Sequence, residues 1–198
     1  TATVTVTFKG NYSGTVKKAF EINPAKVSNV KLSSTSYTYN GKTKTPSVTV
    51  KDSKGRKLKK GTDYTVKYSS GRKNVGSYTV RVKFKGKYKG SKSLKFKIVP
   101  KGTSVSSVSA GVKSFTVKYK KQSTQTSGYQ VQYAENSSFK NAATKTIGKN
   151  STTSYSVNAK GNRKYYVRVR TYKKVGKSYF YSSWSKPSSI TTKTALKF

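Results

Sequence analysis

Two segments of the stretch from Val75 to Pro100, residues 80–85 and 94–98, alternate between apolar and basic residues, and this alternation constrains the fold more than any other feature. The apolar members of the alternation are Val80, Val82, Phe84, Leu94, Phe96 and Ile98. The basic members between them are Arg81, Lys83, Lys85, Lys95 and Lys97. Because successive side chains of a strand point to opposite faces, each half acquires one apolar and one basic face. Gly86 and Gly90 separate the halves, so the stretch predicts a β-hairpin with a five-residue loop.

The same stretch occurs a second time near the start of the chain. Residues 3–24 match residues 79–100 at a constant offset of 76 residues. The eleven identical positions among these 22 are Thr3, Val4, Val6, Phe8, Lys9, Gly10, Tyr12, Gly14, Phe20, Ile22 and Pro24. Similarity at a fixed period indicates a repeat. We therefore expect residues 1–23 to be the C-terminal remnant of a preceding repeat, with strands near Ala2–Phe8 and Val16–Ile22.

The apolar residues of the chain favour strands over helices. Hydrophobic residues make up only 32% of the sequence, but they include sixteen Tyr, and the rest of the core material is largely Val and Phe. β-Branched and aromatic residues suit the half-buried surface of a sheet, and no window sustains a 3.6-residue period. The sequence therefore predicts an all-β chain with almost no helix.

The charge balance is extreme. Lys and Arg number 43 against four acidic residues, which gives a net charge of +39, and only six of the 43 are Arg. Lys is a hydrated point charge, whereas the Arg guanidinium reads phosphate and base edges as a fork. A Lys-dominated surface favours diffuse attraction to polyanions. Solubility and the protection of strand edges are the competing explanation for so many lysines.

The residues that most chemistry requires are missing from the sequence. There is no Cys and no His, and the four acids, Glu21, Asp52, Asp63 and Glu135, are scattered. Acid–base and nucleophilic catalysis, zinc sites and calcium sites all draw on such residues. We therefore expect no enzyme activity, no metal and no cofactor, and the lack of a long apolar run predicts no membrane insertion.

Residues 24–99 carry the landmarks of one complete repeat. Short strands at spacings of 8–12 residues, separated by turn signals such as Asn40-Gly41, indicate a small β-sandwich. The segments YNGKTKTPSVTVKD, LKKGTDYTVKY, NVGSYTVRV and GKYKG, followed by FKI, resemble the bacterial immunoglobulin-like repeats of large surface proteins. The resemblance covers residues 1–99, with the first copy partial, and it implies no particular chemistry.

Pro100 and Gly102 mark a linker, and the remainder does not align with the repeat. Its landmarks are FTVKY (115–119), GYQVQYA (128–134), YYVRVRTY (165–172) and SSWSKP (182–187), which together resemble a fibronectin type III domain over residues 100–198. The resemblance implies that Tyr165 is a tyrosine corner, its hydroxyl bonded to backbone near Gly161-Asn162. It places Tyr119 where the family usually has Trp and implies a last strand over Ser182–Thr192. Together the two resemblances imply an all-β fold of tandem immunoglobulin-like β-sandwiches with almost no helix.

Exposed lysines and a cluster of aromatic residues are the candidate contacts for a ligand. Aromatic rings beside cations can stack on sugars or bases while the cations hold anionic groups, although packing at the end of the sandwich also accounts for the cluster. The candidates are Lys83, Lys85, Lys95, Lys97, Lys173, Lys174, Lys177, Tyr179, Tyr181 and Trp184.

These features favour a non-catalytic structural and adhesive region of a secreted or cell-wall-associated bacterial surface protein. Its expected partners are anionic polymers, namely wall teichoic acid or an anionic polysaccharide such as a host glycan, and nonspecific binding of nucleic acid stays open. One alternative is an accessory C-terminal tail of a secreted enzyme, a glycoside hydrolase or a peptidase. Another is a strand-donating subunit of an extracellular assembly, so residues 1–23 leave a monomer and self-association both open.

Overall fold

Every helix or strand element that the computed structural model assigns in the described residues, 1–21 and 23–195, is a β-strand. The strands before residue 100 are β1 (Ala2–Thr7), β2 (Thr15–Phe20), β3 (Val27–Leu32), β4 (Ser36–Thr38), β5 (Val48–Asp52), β6 (Tyr64–Tyr68), β7 (Gly76–Phe84) and β8 (Ser91–Val99). Those after it are β9 (Val105–Gly111), β10 (Ser114–Tyr119), β11 (Gly128–Ala134), β12 (Ala143–Ile147), β13 (Ser154–Asn158), β14 (Lys164–Val175), β15 (Ser178–Tyr181) and β16 (Ser188–Thr191). The prediction of an all-β chain is confirmed. These residues contain no apolar helix of membrane-spanning length.

The hairpin β1–β2 repeats the geometry of β7–β8. The Phe8 backbone N–H donates to the Gly14 carbonyl at 3.0 Å, and 76 residues later the Phe84 N–H donates to the Gly90 carbonyl at 3.0 Å. Gly14 and Gly90 both have positive φ, +117° and +88°, which glycine adopts most readily. The repeated sequence therefore closes the same turn twice. Ile22, which the sequence placed at the end of the second strand, lies outside the described residues.

The repeat that follows is built from two sheets. One pairs β3 with β5 in antiparallel register, and the other has the strand order β4-β8-β7-β6, with β4 parallel to β8. Apolar side chains of both sheets meet in a core around Val50, Tyr64 and Val82. Alternate residues of each strand therefore face this core, as in a sandwich.

The chain divides into two compact units. The first comprises residues 1–33, 47–67 and 81–94, and it holds the core around Val50. The second comprises residues 34–46, 68–80 and 95–198. In the second unit the Phe96 ring packs edge-on against Tyr37 at 5.8 Å and tilted against Tyr78 at 5.6 Å, measured between ring centroids. The domain limits expected at residues 23/24 and 99/100 stay predictions.

The strands after residue 100 form a second sandwich within the second unit. One sheet has the order β13-β10-β9, and the other has the order β12-β11-β14-β15, with β16 also paired to β14. Counted from β9, the first, second and fifth strands lie in one sheet, and the third and sixth lie in the other. This is the immunoglobulin-like arrangement. The buried core residues are Phe115, Val117, Tyr119, Tyr129, Val131, Val157, Tyr165, Val167 and Val169.

The last strand is shorter than the resemblance implied. Strand β16 begins at Ser188, and Pro187 before it has no N–H for a sheet. The hydroxyl oxygens of Ser182 and Ser185 instead accept from the backbone N–H groups of Thr171 and Val169, at 3.1 and 3.0 Å. Serine side chains thus replace part of the ladder, and the expectation of a continuous strand over Ser182–Thr192 is wrong.

Candidate polyanion-binding surfaces

Apolar and basic side chains take opposite faces of the strands, as the alternation predicts. In β7, Val80 and Val82 have 0% exposure, whereas Arg81 and Lys83 are exposed. No lysine of the described residues is buried, and only Lys44 and Lys173 are half-buried. The positive charge therefore lies at the surface, where it can meet a ligand.

The first unit carries a basic groove, which we define by its lining residues. It has a volume of about 740 Å³, and its lining residues are Thr65, Lys67, Arg81, Lys83, Phe84, Lys89, Gly90 and Ser91. Strand β6 supplies Lys67, strand β7 supplies Arg81 and Lys83, and the loop before β8 supplies Lys89. The period of two sends these side chains away from the core, because Val66 and Val82, between them in sequence, pack inward.

The cations of the basic groove have no neutralising partner. The only ion pairs of the described residues join Arg56 to Asp52 at 2.8 Å and Lys160 to Glu135 at 3.7 Å. Four positive side chains without a carboxylate beside them repel one another, and an anion that enters the groove relieves that repulsion. Of these four, only Lys83 is among the ligand contacts predicted from the sequence. Arg81 belongs to the same alternation and could have been found from it.

Two other predicted contacts lie outside this groove. The Lys85 ammonium donates to the Gly61 carbonyl at 3.3 Å, so it is partly engaged by the protein. Lys95 is exposed on the basic face of β8. Neither lines the basic groove.

The second unit carries a different depression, which we call the aromatic cleft. It has a volume of about 430 Å³, and its lining residues are Ser36, Lys97, Val99, Arg170, Tyr179, Phe180, Tyr181, Ser182 and Ser183. Three of the predicted contacts, Lys97, Tyr179 and Tyr181, therefore come together in one place. The alternation could not reveal this, because Lys97 lies on β8 and the tyrosines lie on β15.

The hairpin β14–β15 positions the tyrosines of the aromatic cleft. Its register pairs Tyr172 with Tyr181 and Lys174 with Tyr179, which puts all four side chains on one face. The rings of Tyr179 and Tyr181 are stacked, with 6.4 Å between centroids and 17° between planes, and the Lys174 ammonium lies 5.6 Å from the Tyr179 centroid. Rings and a cation in this arrangement can cover a sugar face and hold an acidic group beside it.

Trp184 lies between two guanidinium groups and not in open solvent. The Arg170 guanidinium is 4.2 Å from the Trp184 ring centroid and 4.2 Å from that of Tyr181. The Arg168 guanidinium is 5.0 Å from Trp184 and 4.0 Å from Phe139. These five side chains form what we call the arginine ladder. The ladder favours packing over ligand contact for Trp184, and neither arginine was among the predicted contacts.

Glutamine side chains fix the arginine ladder on the sheet. Gln130 Oε1 accepts from Arg170 Nη2 at 2.7 Å, and Gln132 Oε1 accepts from Arg168 Nε at 2.7 Å. Burial lowers the pKa of Arg170, while the nearby Tyr181 acts in the opposite direction. The sequence signal for the ladder is the spacing of Arg168 and Arg170, which are two apart and therefore share a face of β14.

Lys173 and Lys177 do not join the aromatic cleft. Lys173 pairs with Phe180 in the β14–β15 ladder, and this position alternates with Lys174, so Lys173 faces the other side of the hairpin. Lys177 is exposed in the turn between the two strands, next to Gly176 with φ +56°. The predicted lysine cluster is therefore divided among two faces and a turn.

Tyr165 has a structural role. Its hydroxyl accepts from the Lys160 backbone N–H at 3.1 Å and donates to Glu135 Oε1 at 3.3 Å. The first bond ties β14 to the turn just before Gly161, where the resemblance implied one. The carboxylate of Glu135 is thereby turned toward Tyr165 and Lys160.

Asp52 is the one buried carboxylate of the described residues, with 2% exposure. Its Oδ1 accepts from the backbone N–H groups of Lys54 and Arg56, both at 3.0 Å, and its Oδ2 accepts from Arg56 Nε at 2.9 Å and Tyr88 Oη at 3.2 Å. Burial acts to raise the pKa of Asp52, but these hydrogen bonds, those of Arg56 foremost, hold it below the ordinary value of 3.8. The carboxylate is fully occupied, so it orders a turn and is not available for catalysis.

In the described part of the chain, no three His, Cys, Asp or Glu side chains come together in a way that could hold a metal ion. The polar chemistry of the surface is therefore that of ammonium, guanidinium, hydroxyl and ring groups. Such groups can bind and orient an anionic or sugar-containing ligand.

Comparisons with known proteins give fold-level likeness only. No protein-family model matches the chain, and no curated protein matches its sequence. Among solved structures, the FN1–FN3 domains of chicken CNTN1 are similar, with 18% identity and a TM-score of 0.44 over 93% of this chain and 74% of that one. A run of titin domains has 18% identity and a TM-score of 0.39 over 92% and 72%. The fn3 domain of human collagen alpha-1(XX) has 19% identity and a TM-score of 0.33 over 48% and 81%. The assignment of β-sandwiches accordingly rests on the strand pairing described above.

Proposed function

We propose that the chain is a non-catalytic structural and adhesive region whose basic surface binds anionic polymers. The observation that carries the proposal is the basic groove, where Lys67, Arg81, Lys83 and Lys89 lie together and no carboxylate within residues 1–21 and 23–195 pairs with them. The ligand class is an extended polyanion such as wall teichoic acid or an anionic host glycan. The corresponding location is the surface or cell wall of a bacterium, on a secreted protein.

Binding of this kind depends on many weak contacts and not on a single strong one. Each exposed lysine contributes little, because water and salt screen its charge. A polymer that reaches several lysines at once gains from effective concentration, since each contact after the first is intramolecular. A β-sheet suits this mechanism because it holds the cations on its exposed face at fixed spacing.

The aromatic cleft supports the same proposal in the second unit. Lys97 and the stacked pair Tyr179 and Tyr181 offer a cation beside two ring faces. A glycan with sugar rings and acidic substituents uses both kinds of contact, whereas a bare polyphosphate uses only the cation. The cleft therefore favours glycans over nucleic acids that lack accessible bases.

The decisive experiment compares two variants of equal charge. One carries Lys67→Gln, Arg81→Gln and Lys83→Gln in the basic groove, and its control carries Lys140→Gln, Lys145→Gln and Lys149→Gln on exposed residues elsewhere. Binding to purified teichoic acid and to heparin is measured by calorimetry at low and high salt. We expect the groove variant to weaken binding at least ten-fold more than the control, and binding of the unmodified chain to fall steeply with salt.

Two results would overturn the proposal. The first is no binding of either polymer by the unmodified chain at low salt. The second is equal weakening by the groove and control variants, which would leave a general attraction of the surface and remove the groove as the site.

A further inference from the structure

The β1–β2 hairpin exposes an apolar face. The cross-strand register pairs Val6 with Val16 and Val4 with Lys18, which places these side chains on the same side. Val4, Val6 and Val16 are 51%, 50% and 56% exposed, and Phe20 is 48% exposed. They line a depression of about 390 Å³ together with Lys18. Apolar side chains exposed together to this extent indicate a surface that another element covers.

The chain itself shows what covers such a face. At the offset of 76 residues, Val4, Val6 and Phe20 correspond to Val80, Val82 and Phe96, whose exposures are 0%, 0% and 2%. Val82 is covered by the inner face of the β3–β5 sheet. The residues that supply this cover are Val27, Val30, Val48 and Val50. Because the two hairpins share their sequence pattern and turn geometry, we expect the β1–β2 hairpin to pack against a sheet like β3–β5.

Besides an apolar surface, the element that covers the hairpin must offer a hydrogen-bond acceptor to Tyr12. Its counterpart Tyr88 is 2% exposed and donates from its hydroxyl to Asp52 Oδ2 at 3.2 Å. Tyr12 is 76% exposed, although it occupies the same place in the same five-residue loop. The element that covers the hairpin in the way β3–β5 covers β7–β8 therefore brings a carboxylate to Tyr12.

The edges of the hairpin point to the same conclusion. Strands β7 and β8 are flanked by β6 and β4, whereas β1 and β2 form a two-stranded sheet in the described residues. Two-stranded hairpins are marginally stable in water unless they gain further strands or a packed face. The missing neighbours are thus strands equivalent to β4 and β6, in addition to the pair equivalent to β3 and β5.

We propose that the β1–β2 hairpin is a docking surface for the first two thirds of another copy of this repeat. Its occupant presents a valine-lined two-stranded face to Val6, as β3–β5 does to Val82, and an aromatic ring to Phe20, as Tyr37 does to Phe96. It also carries a buried aspartate, equivalent to Asp52, that accepts a hydrogen bond from the Tyr12 hydroxyl. The fit is specific because both the apolar face and the carboxylate must be present in one segment.

The test adds a synthetic polypeptide of residues 24–75 to the full chain. This segment contains strands β3–β6 and Asp52 but lacks the β7–β8 hairpin. We expect a 1:1 complex by calorimetry and a shift of the Tyr12 ring resonances by NMR. Val6→Lys in the chain should weaken binding at least ten-fold, whereas Thr5→Lys, on the opposite face of β1, should leave it unchanged. Asp52→Ala in the polypeptide should also weaken binding.

Three outcomes would overturn the inference. One is that the polypeptide does not bind. Another is that it binds equally to the Val6→Lys variant, which would mean that it exchanges into the intact repeat instead. The third is that the chain alone forms a concentration-dependent dimer that Val6→Lys abolishes, because the occupant would then be a second hairpin and not a repeat segment.

Discussion

The backbone N–H of Val75 donates to the side-chain Oε1 of Gln125 at 3.1 Å, a hydrogen bond between residues 50 positions apart. Val75 is 3% exposed, so its N–H has no access to water once this bond is lost. Gln125 has φ +53° in the loop between β10 and β11. Within the second unit, the bond joins residues from the two sides of the expected boundary at residue 100.

Gln125→Asn tests that bond. Asn tolerates the positive φ but is one methylene too short to reach Val75, so the buried N–H loses its acceptor. We expect the free energy of unfolding to fall by about 1–2 kcal/mol and the Val75 amide to exchange faster with solvent, measured by NMR. Gln125→Glu keeps an acceptor at the same reach and serves as the control; a similar loss in both variants would contradict the prediction.

Asp52 makes stability depend on pH. Its folded pKa lies below the ordinary value of 3.8, so the ionised carboxylate contributes stability above that pH and loses it as the pH falls through the folded pKa. Asp52→Asn should therefore lower the melting temperature most above pH 5, and the difference from the unmodified chain should shrink below pH 3.8. Glu135→Gln, at a more exposed carboxylate, is the control and should show a smaller difference at every pH.

Tyr119 and Tyr129 offer a matched pair in the second sandwich, with 4.7 Å between ring centroids. The Tyr119 hydroxyl is buried without a hydrogen-bond partner among the described residues, and burial raises its pKa to about 12. Tyr129 Oη accepts from the Gln122 N–H at 2.8 Å and donates to the Asn150 carbonyl at 2.9 Å.

Phenylalanine at these two positions should act in opposite directions. Tyr119→Phe removes an unsatisfied polar atom and should leave the free energy of unfolding unchanged or raise it by up to about 1 kcal/mol. Tyr129→Phe strands two backbone groups and should lower it by about 1–3 kcal/mol. Urea unfolding measures both, and a loss for Tyr119→Phe as large as that for Tyr129→Phe would show that its hydroxyl is bonded.

The arginine ladder should stabilise the second sandwich through planar stacking. Arg170→Lys keeps the charge but loses the stacked guanidinium over Trp184 and Tyr181 and the paired bonds to Gln130. We expect a loss of about 1–2 kcal/mol in the free energy of unfolding, followed through the fluorescence of the single Trp. Arg163→Lys, at an exposed arginine, should cost almost nothing, and equal effects would remove the ladder as the cause.

The sequence predicted those features that depend on a single strand or turn. The faces of β7 and β8 follow from the period of two. Burial is a local consequence here, because whichever face carries valine and phenylalanine turns to the core. The turns at Gly86 and Gly90 are local in the same way.

Contacts between strands were not accessible from the sequence. The aromatic cleft brings Lys97 of β8 to Tyr179 of β15, and the basic groove brings Lys67 of β6 to Lys83 of β7. The alternation within a strand gives the face of each side chain but not the residues that it meets on another strand. The prediction of a long last strand was wrong because the hydroxyls of Ser182 and Ser185 bond to β14. The periodicity of a sequence does not indicate such side-chain bonds.

Strand β4 pairs with β8 in parallel, with Ser36 opposite Lys97 and Thr38 opposite Val99. Two flanking bonds extend this contact, from the Tyr39 N–H to the Val99 carbonyl and from the Lys97 N–H to the Thr35 carbonyl, at 2.8 and 3.0 Å. If tension is applied to the chain before β4 and after β8, it drags the two strands past each other lengthwise. All these bonds then bear the load at once and must rupture together, whereas a hairpin pulled from its open end unzips bond by bond. We therefore expect the β4–β8 pair to resist extension along its strands more strongly than the β1–β2 hairpin resists opening from its free ends.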